Sequence, residues 1–129
     1  MVKKIVDAYD ENKNEVVLWG TGVAKREFMH VDDAASAILC ILGLNTSYNL
    51  INIGVGEDIS ILDLAKKIIS IVGFKGDIAF DKTKSDGMLQ KCLDVTRMRS
   101  LGFIPKISLD EGISKTINEY KNIKRQFSA

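Results

Sequence analysis

Residues 60–80 read SILDLAKKIISIVGFKGDIAF, a stretch that contains a complete helix and the strand that follows it. Ser60 is a typical helix cap, because its hydroxyl can accept an unpaired backbone N–H of the first turn. A single apolar stripe at helical spacing follows, made of Ile61, Leu64, Ala65, Ile68 and Val72. Gly73 then ends the helix, and Ile78-Ala79-Phe80 predicts a strand. The stretch therefore predicts an α-β unit with one buried helix face.

The sequence before this unit predicts two further strands and two helices. Lys3 to Tyr9 has a helical pattern, with Ile5, Val6 and Tyr9 on one face. Val16-Val17-Leu18-Trp19 is a continuous apolar run, which predicts a buried strand that ends at Gly20. The almost wholly apolar run Ala34–Leu42 predicts a buried helix, and Asn49-Leu50-Ile51-Asn52-Ile53 predicts a strand.

The sequence after the unit begins with a long polar segment. Residues 81–91 lack a hydrophobic period and predict a loop of the kind that often carries function. A short helix is expected over 96–101. Ser108 with Glu111 three residues later is a capping box, which predicts the start of a last helix. Strands and helices thus alternate along the chain, and the fold class predicted is α/β.

The composition is that of an ordinary globular domain and excludes several functions. The 129 residues are 46% hydrophobic and carry 18 basic against 17 acidic side chains. Such a balance is not typical of a surface that binds nucleic acid or an anionic membrane. No apolar run approaches the roughly 20 residues of a membrane span. Cys40 and Cys92 lack CxxC spacing, which favours reduced thiols in a cytoplasmic protein over a disulfide or metal site.

Two glycine pairs match the start of the dinucleotide-binding fingerprint, but neither pair completes it. The fingerprint needs a third glycine three residues after the second, for close packing of helix on strand. After Gly54-Val55-Gly56 that position is Ile59, and after Gly20-Thr21-Gly22 it is Lys25. Both pairs are therefore predicted to be turns, and no cofactor site is expected in this chain.

The remaining candidate side chains are a histidine and two cations. His30 is the only histidine; without a cluster of further ligands it does not predict a metal site, and a packed or surface role is favoured over that of a base. Arg26 lies between a glycine turn and a helix start, where nucleotide phosphates often bind, but it can equally form a surface ion pair with Glu27. Lys91 ends the polar loop, and the residues alone do not decide its role.

Several stretches taken together resemble one enzyme family. They are Val17–Gly22 with Arg26–Ala34, Asn52–Ile61, Val72–Ile78, Phe80-Asp81 with Ser85-Asp86-Gly87 and Lys91–Val95, and Leu101–Leu109 with Glu111-Gly112. On these motifs the chain is similar, from about Val2 to Tyr120, to the GDP-L-fucose synthases. These are bifunctional 3,5-epimerase/4-reductases of the extended short-chain dehydrogenase superfamily. Two departures are Ser85, where the family has proline, and Met88-Leu89-Gln90, where it has Thr-Pro-Arg.

The resemblance implies a division of labour. Members of the family hold NADPH on an amino-terminal Rossmann domain, which also carries the catalytic residues, while a smaller carboxy-terminal lobe closes over the GDP-sugar. Arg26 and Lys91 match the family's pyrophosphate-contacting cations, and Trp19 matches a tryptophan at the nucleotide pocket. No catalytic, cofactor-binding or metal-binding position of the family falls within this chain.

From this resemblance we expect residues 1–129 to form one sugar-nucleotide-binding domain, a fragment of a larger enzyme, with a frayed tail over 121–129. The chain alone should be an inactive monomer, and its parent a homodimer that uses NADP. Two alternatives stay open at this point. The chain is the equivalent lobe of another nucleotide-sugar epimerase or dehydratase, or it is a free-standing, non-catalytic binding module.

Overall fold

A computed structural model of the chain describes residues 1–127. The helices are α1 (Val2–Asp10), α2 (Val31–Leu42), α3 (Ile61–Val72), α4 (Thr96–Ser100) and α5 (Leu109–Phe127). The strands are β1 (Glu15–Trp19), β2 (Lys25–Arg26), β3 (Ile59–Ser60), β4 (Asp77–Asp81) and β5 (Gln90–Lys91). The predicted α/β class is confirmed. No described helix is both long and apolar enough to cross a membrane.

The strands form two small sheets. β1 and β4 pair in parallel over their full length, from Glu15 opposite Asp77 to Trp19 opposite Asp81. The second sheet has the order β3-β2-β5, with β2 antiparallel to β3 and parallel to β5. Its strands are two residues long, too short to show any hydrophobic period, and the sequence did not predict them.

The main core lies between the first sheet and helices α1, α3 and α5. Its buried residues include Ile5 and Val6 of α1, Leu64, Ala65, Ile68 and Val72 of α3, Ile113 and Ile117 of α5, and Val16 and Leu18 of β1. The prediction of a fully buried strand is wrong: Val17 and Trp19 of β1 are 45% and 66% exposed, because the described residues cover one face of the strand. Tyr9, predicted on the same face as Ile5 and Val6, is also exposed. The predicted caps are also present. Ser60 Oγ accepts the backbone N–H of Asp63 at 3.0 Å, and Gly73 takes the left-handed conformation (φ 81°) that glycine adopts most readily.

A second, smaller core lies between α2 and the carboxy-terminal segments. Ala37, Val95, Met98 and Phe103 are buried in it, and Ile51 and Ile53 pack against it from one side. Asp33, buried in the first turn of α2, accepts backbone N–H groups from Lys106 and Ile107 at 3.0 and 2.8 Å. This carboxylate ties α2 to the chain after Pro105.

Two predictions about this region are wrong. The helix at 34–42 was expected to be buried, but in the structure only Asp33 and Ala37 of α2 are buried. Residues 49–53 were expected to be a strand, but the structure shows none there, because no described segment pairs with them. Within residues 1–127, α2 contacts the small core through Ala37 and Cys40 only, and Ile51 and Ile53 pack against the same core without a strand to pair with.

The last helix includes most of the segment that was predicted to be a frayed tail. Helix α5 continues to Phe127, and residues 128 and 129 lie outside the described part. Fraying over 121–129 therefore stays a prediction.

Candidate functional site

Arg26 and Lys91, separated by the whole middle of the sequence, lie side by side in the second sheet. They are register partners on the parallel strands β2 and β5. Both border one open cleft, together with Glu27, Met88, Gln90, Cys92 and Leu93. The two residues therefore border the same cleft, and the strands that carry them pair with each other.

The Arg26 guanidinium is held by two backbone carbonyls. Nη1 donates to Lys25 O at 2.6 Å, and Nη2 donates to Asp86 O at 3.2 Å. A guanidinium has five N–H groups, so these two contacts orient it and leave donors for a ligand. Arg26 is thus both anchored and able to bind an anion.

Asp86 fixes the glycine turn beside Arg26. Its carboxylate accepts hydrogen bonds from the backbone N–H and the hydroxyl of Thr21, at 2.7 and 2.6 Å. These bonds, from the hydroxyl first and then the amide, hold the pKa of Asp86 below its usual range. A Cβ at Gly20 would lie 2.1 Å from Asp86 Oδ1, and Gly20 has a φ of 82°, so only glycine fits there.

Trp19, at the end of β1, presents its ring to a neighbouring cleft. The side chain is 66% exposed, and two lysine ammonium groups lie near its face, Lys4 at 5.2 Å and Lys84 at 6.0 Å from the ring centroid. Arg26 and Asp86 line the same cleft. Arg26 therefore lines both clefts, one with Lys91 and the other with Trp19, so the three residues named from the sequence lie along two adjoining clefts.

Lys4 and Lys84 were missed by the sequence argument. Lys4 lies on α1 and Lys84 in the polar loop, and nothing in their local sequence distinguishes them from solvated surface lysines. Lys4 Nζ also donates to Val17 O at 3.1 Å, which holds it next to β1. Their position over Trp19 depends on tertiary packing, and for that reason no local pattern could have found them.

Glu27 joins the strands of the site to two loops. One carboxylate oxygen accepts the backbone N–H of Gly56 at 2.6 Å, and the other accepts that of Leu93 at 3.0 Å. Leu93 is two residues beyond Lys91, so this contact holds the end of β5 against β2. The pKa of the nearby Cys92 thiol is raised, by desolvation and then by the negative charges of Glu27, Asp58 and Glu57.

His30 has a structural role, in agreement with the interpretation that the sequence favoured. It is the cap residue of α2, and its Nδ1 accepts the backbone N–H of Asp32 at 3.2 Å. Its ring is largely buried and lies against Gly112 of α5. Among residues 1–127 there is no group of three or more His, Cys, Asp or Glu side chains able to hold a metal ion.

Comparisons with known proteins agree on one family. The model of the NAD dependent epimerase/dehydratase family matches residues 1–54. GDP-L-fucose synthase of Escherichia coli K12 is 41% identical over 125 residues, which cover 90% of this chain and 39% of that protein. The chain spans about two fifths of the length of the curated relatives it matches.

Solved structures give the same result for the fold. A GDP-L-fucose synthetase of Naegleria fowleri bound to NADP superimposes with a TM-score of 0.87 at 24% identity, over 96% of this chain and 39% of that one. MlghC, a GDP-mannoheptose C4 reductase of Campylobacter jejuni with NADP bound, is 33% identical with a TM-score of 0.69, over 93% of this chain and 41% of that one. The match is to the carboxy-terminal part of these larger proteins. The chain is therefore a homologue of the carboxy-terminal part of the GDP-L-fucose synthases.

Proposed function

We propose that this chain is the lobe that binds the GDP-sugar in an NADP-dependent 3,5-epimerase/4-reductase that makes GDP-L-fucose from GDP-4-keto-6-deoxymannose. The observation that carries the proposal is the pairing of Arg26 with Lys91 at one cleft. Two cations on neighbouring strands can each donate charge-assisted hydrogen bonds to a pyrophosphate. Arg26 offers a planar fork and Lys91 a compact charge, a combination suited to an elongated dianion.

The aromatic cleft next to Arg26 supports a nucleotide rather than a simple phosphate as the ligand. Trp19 offers an exposed ring on which a base can stack, and the ammonium groups of Lys4 and Lys84 add positive charge close to it. Stacking on an aromatic side chain contributes about 1–3 kcal/mol per base in single-stranded nucleic-acid complexes. Pyrophosphate at the cations and base at the ring would use the two adjoining clefts together.

The chemistry itself would belong to the rest of the parent enzyme. NADP is proposed to be held by an amino-terminal Rossmann domain, as the resemblance implies, and the relative from Campylobacter was solved with NADP bound. In this division the lobe orients the substrate and complements its charge, and NADPH supplies the hydride. The parent is proposed to be a cytoplasmic homodimer.

One alternative concerns the sugar. The Campylobacter relative acts on a GDP-mannoheptose, whereas the Escherichia relative is a GDP-L-fucose synthase. The residues described above would contact the nucleotide, and none of them selects a sugar. The equivalent lobe of another nucleotide-sugar enzyme is therefore the second candidate function, and it predicts the same pyrophosphate contacts.

Titration of the chain with GDP, followed by NMR shifts of the Trp19 indole, tests the proposal. GDP should produce saturable shifts that are larger than those with GMP, because GMP lacks the second phosphate. Arg26→Ala or Lys91→Ala should each weaken binding by a cost of roughly 1.5–3 kcal/mol, or about 10- to 100-fold.

Lys66→Ala is the matched control, since it also removes one positive charge but lies on α3 outside both clefts. It should leave GDP binding unchanged. Equal effects of all three substitutions, or no GDP-dependent shift of Trp19 at millimolar concentrations, would contradict the proposed site. UDP in place of GDP tests the choice of base: equal binding of the two would favour the lobe of a nucleotide-sugar enzyme without guanine preference.

A further inference from the structure

Lys91 lies on a strand that has little backbone pairing of its own. Strand β5 consists of Gln90 and Lys91, and in the described part of the chain it pairs with β2 alone. The backbone N–H of Lys25 donates to Leu89 O at 2.8 Å where this pairing begins. Both residues of β5 are exposed, so burial of apolar surface contributes little to holding the strand. A cation that meets its ligand at a fixed place therefore needs contacts beyond those of its own strand.

Two carboxylates supply such contacts, one on each side of Lys91. Glu27 accepts the backbone N–H of Leu93, two residues after Lys91, at 3.0 Å. Asp58 accepts a hydrogen bond from the side-chain amide of Gln90, the residue before Lys91. Hydrogen bonds to an ionised acceptor are stronger than those between neutral groups. The two carboxylates thus hold both flanks of the cation.

Asp58 reaches Gln90 across the width of the second sheet. Asp58 directly precedes β3, and because the strand order is β3-β2-β5, β3 and β5 are the two outer strands. Between them, Lys25 of β2 is the register partner of Gln90, and its ammonium nitrogen lies 4.0 Å from an oxygen of Asp58. The Asp58 side chain is only 11% exposed, which limits the positions that it can take. Its carboxylate therefore links all three strands through side chains.

We propose that Asp58 and Gln90 are positioning residues for Lys91: their hydrogen bond keeps β5 beside β2, so that Lys91 and Arg26 face one ligand together. Asp58 lines neither of the two clefts and acts without touching the ligand. Gln90 borders the cleft of the two cations, and its amide donates to Asp58. The inference deepens the proposed function and rests on it, because it concerns the pyrophosphate contact of Lys91.

Gln90→Leu tests this role, since it removes the donor and keeps a side chain of similar size. GDP affinity should fall about three- to tenfold, less than in Lys91→Ala, because the cation is still present but is no longer held. In the Lys91→Ala background the same substitution should change GDP affinity by no more than about twofold, because Gln90 acts through Lys91. Asp58→Leu should repeat both results. Asp58→Asn keeps an acceptor oxygen for Gln90 and should retain most of the affinity.

Gln126→Leu is the matched control, the same change at an exposed position of α5 that lies outside both clefts. It should leave GDP affinity unchanged. Undiminished affinity in Gln90→Leu would overturn the proposal. An equal loss with and without the Lys91 side chain would also overturn it, because Gln90 would then contact the ligand directly. Equal losses in Asp58→Asn and Asp58→Leu would do the same, by assigning the effect to the charge that faces Lys25.

A second readout needs no nucleotide. The NMR order parameter of the Lys91 amide should be about 0.85 in the unsubstituted chain, the value of a rigid backbone, and should fall below about 0.6 in Gln90→Leu. The Arg26 amide, on the central strand, should stay rigid in both. An unchanged order parameter at Lys91 would overturn the positioning role whether or not GDP binds. If the Lys91 amide becomes mobile as expected but the unsubstituted chain does not bind GDP, the proposed function is contradicted and the positioning of Lys91 stands.

Discussion

At the scale of single residues, the site depends on carboxylates as much as on cations. Glu27 and Asp86 bind no ligand in our proposal, yet each accepts two hydrogen bonds that fix a segment carrying a cation. Glu27 is the more connected of the two, because it joins β2 to the loop at Gly56 and to the end of β5. Removal of the Glu27 carboxylate should therefore lower both the stability of the fold and the affinity for GDP.

We expect Glu27→Ala to lower the free energy of unfolding by roughly 1–3 kcal/mol, the usual cost when partly buried donors lose a charged acceptor. Urea denaturation followed by circular dichroism measures this. Glu27→Gln, which keeps one acceptor oxygen, should recover part of the loss. Glu57→Ala is the control, because Glu57 is a nearby acid that accepts neither of the two hydrogen bonds of Glu27, and its effect should be small. If Glu57→Ala and Glu27→Ala cost the same, the two backbone hydrogen bonds of Glu27 are not the cause.

The candidate site shows how far residue-level reasoning reaches. Trp19, Arg26 and Lys91 were named from the sequence because the resemblance matched them to family positions, and the structure brings all three to adjoining clefts. Residue chemistry alone left Arg26 and Lys91 undecided, because an exposed cation has the same local sequence whether or not it binds a ligand. The companions of Trp19, Lys4 and Lys84, were not found for the same reason.

At the scale of elements, caps, helix-ending glycines and apolar periodicity correctly predicted the helices and strands that depend mainly on their own residues. Helix α3 with its serine cap and terminal glycine, strands β1 and β4, and the capped start of α5 are all present as expected. The two-residue strands of the second sheet were missed, because two residues cannot show a period of two. The failures at α2 and at residues 49–53 have a different cause. Their patterns were interpreted correctly as apolar, but the described residues cover only one side of α2 and offer no strand that pairs with residues 49–53.

Helices α1 and α5 are joined by a polar network, which makes the stability of the chain depend on pH. Asp7 accepts hydrogen bonds from Lys124, Lys3 and the Tyr120 hydroxyl. The first two of these contacts, with Lys124 the stronger, hold the pKa of Asp7 far below its usual range. Lys124 also bonds Asp10 at 2.8 Å, and its own pKa is raised, first by Asp10 and then by Asp7.

The direction of the pH effect follows from the lowered pKa of Asp7. A carboxyl whose pKa is lower in the folded state stabilises that state above its unfolded pKa of about 4, and the contribution is lost as pH falls below that value. We therefore expect Asp7→Asn to reduce the free energy of unfolding at pH 7 by roughly 1–2 kcal/mol and to flatten its decline between about pH 5 and 2. Urea denaturation across this pH range measures both effects.

Asp110→Asn is the control for this prediction. It removes an exposed ion pair with Lys67, of a kind that contributes at most about 1 kcal/mol. Its pH profile should follow that of the unsubstituted chain. A steep acid decline that persists in Asp7→Asn would assign the effect to other carboxylates, with Asp86 and Asp94 the next candidates because their pKa values are also lowered.

At the scale of the whole molecule, the chain matches about two fifths of the length of each relative. In our proposal the lobe binds and orients the GDP-sugar at the clefts of Arg26, Lys91 and Trp19, and hydride transfer is assigned to the rest of the parent enzyme.

The last prediction is that the chain alone neither binds NADPH nor reduces a GDP-sugar. Its two glycine pairs lack the third glycine of the dinucleotide fingerprint, and each is next to a carboxylate. The Gly56 amide donates to Glu27, and the Thr21 amide within the other pair donates to Asp86. The amides that a cofactor pyrophosphate would need are thus paired with negative charges, which repel a second anion. Fluorescence titration with NADPH up to millimolar concentration should show no saturable change, while GDP in the same buffer should bind. Saturable micromolar NADPH binding would show that the carboxylate of Glu27 or Asp86 releases its backbone amide to the cofactor. It would overturn the assignment of the cofactor to another part of the enzyme.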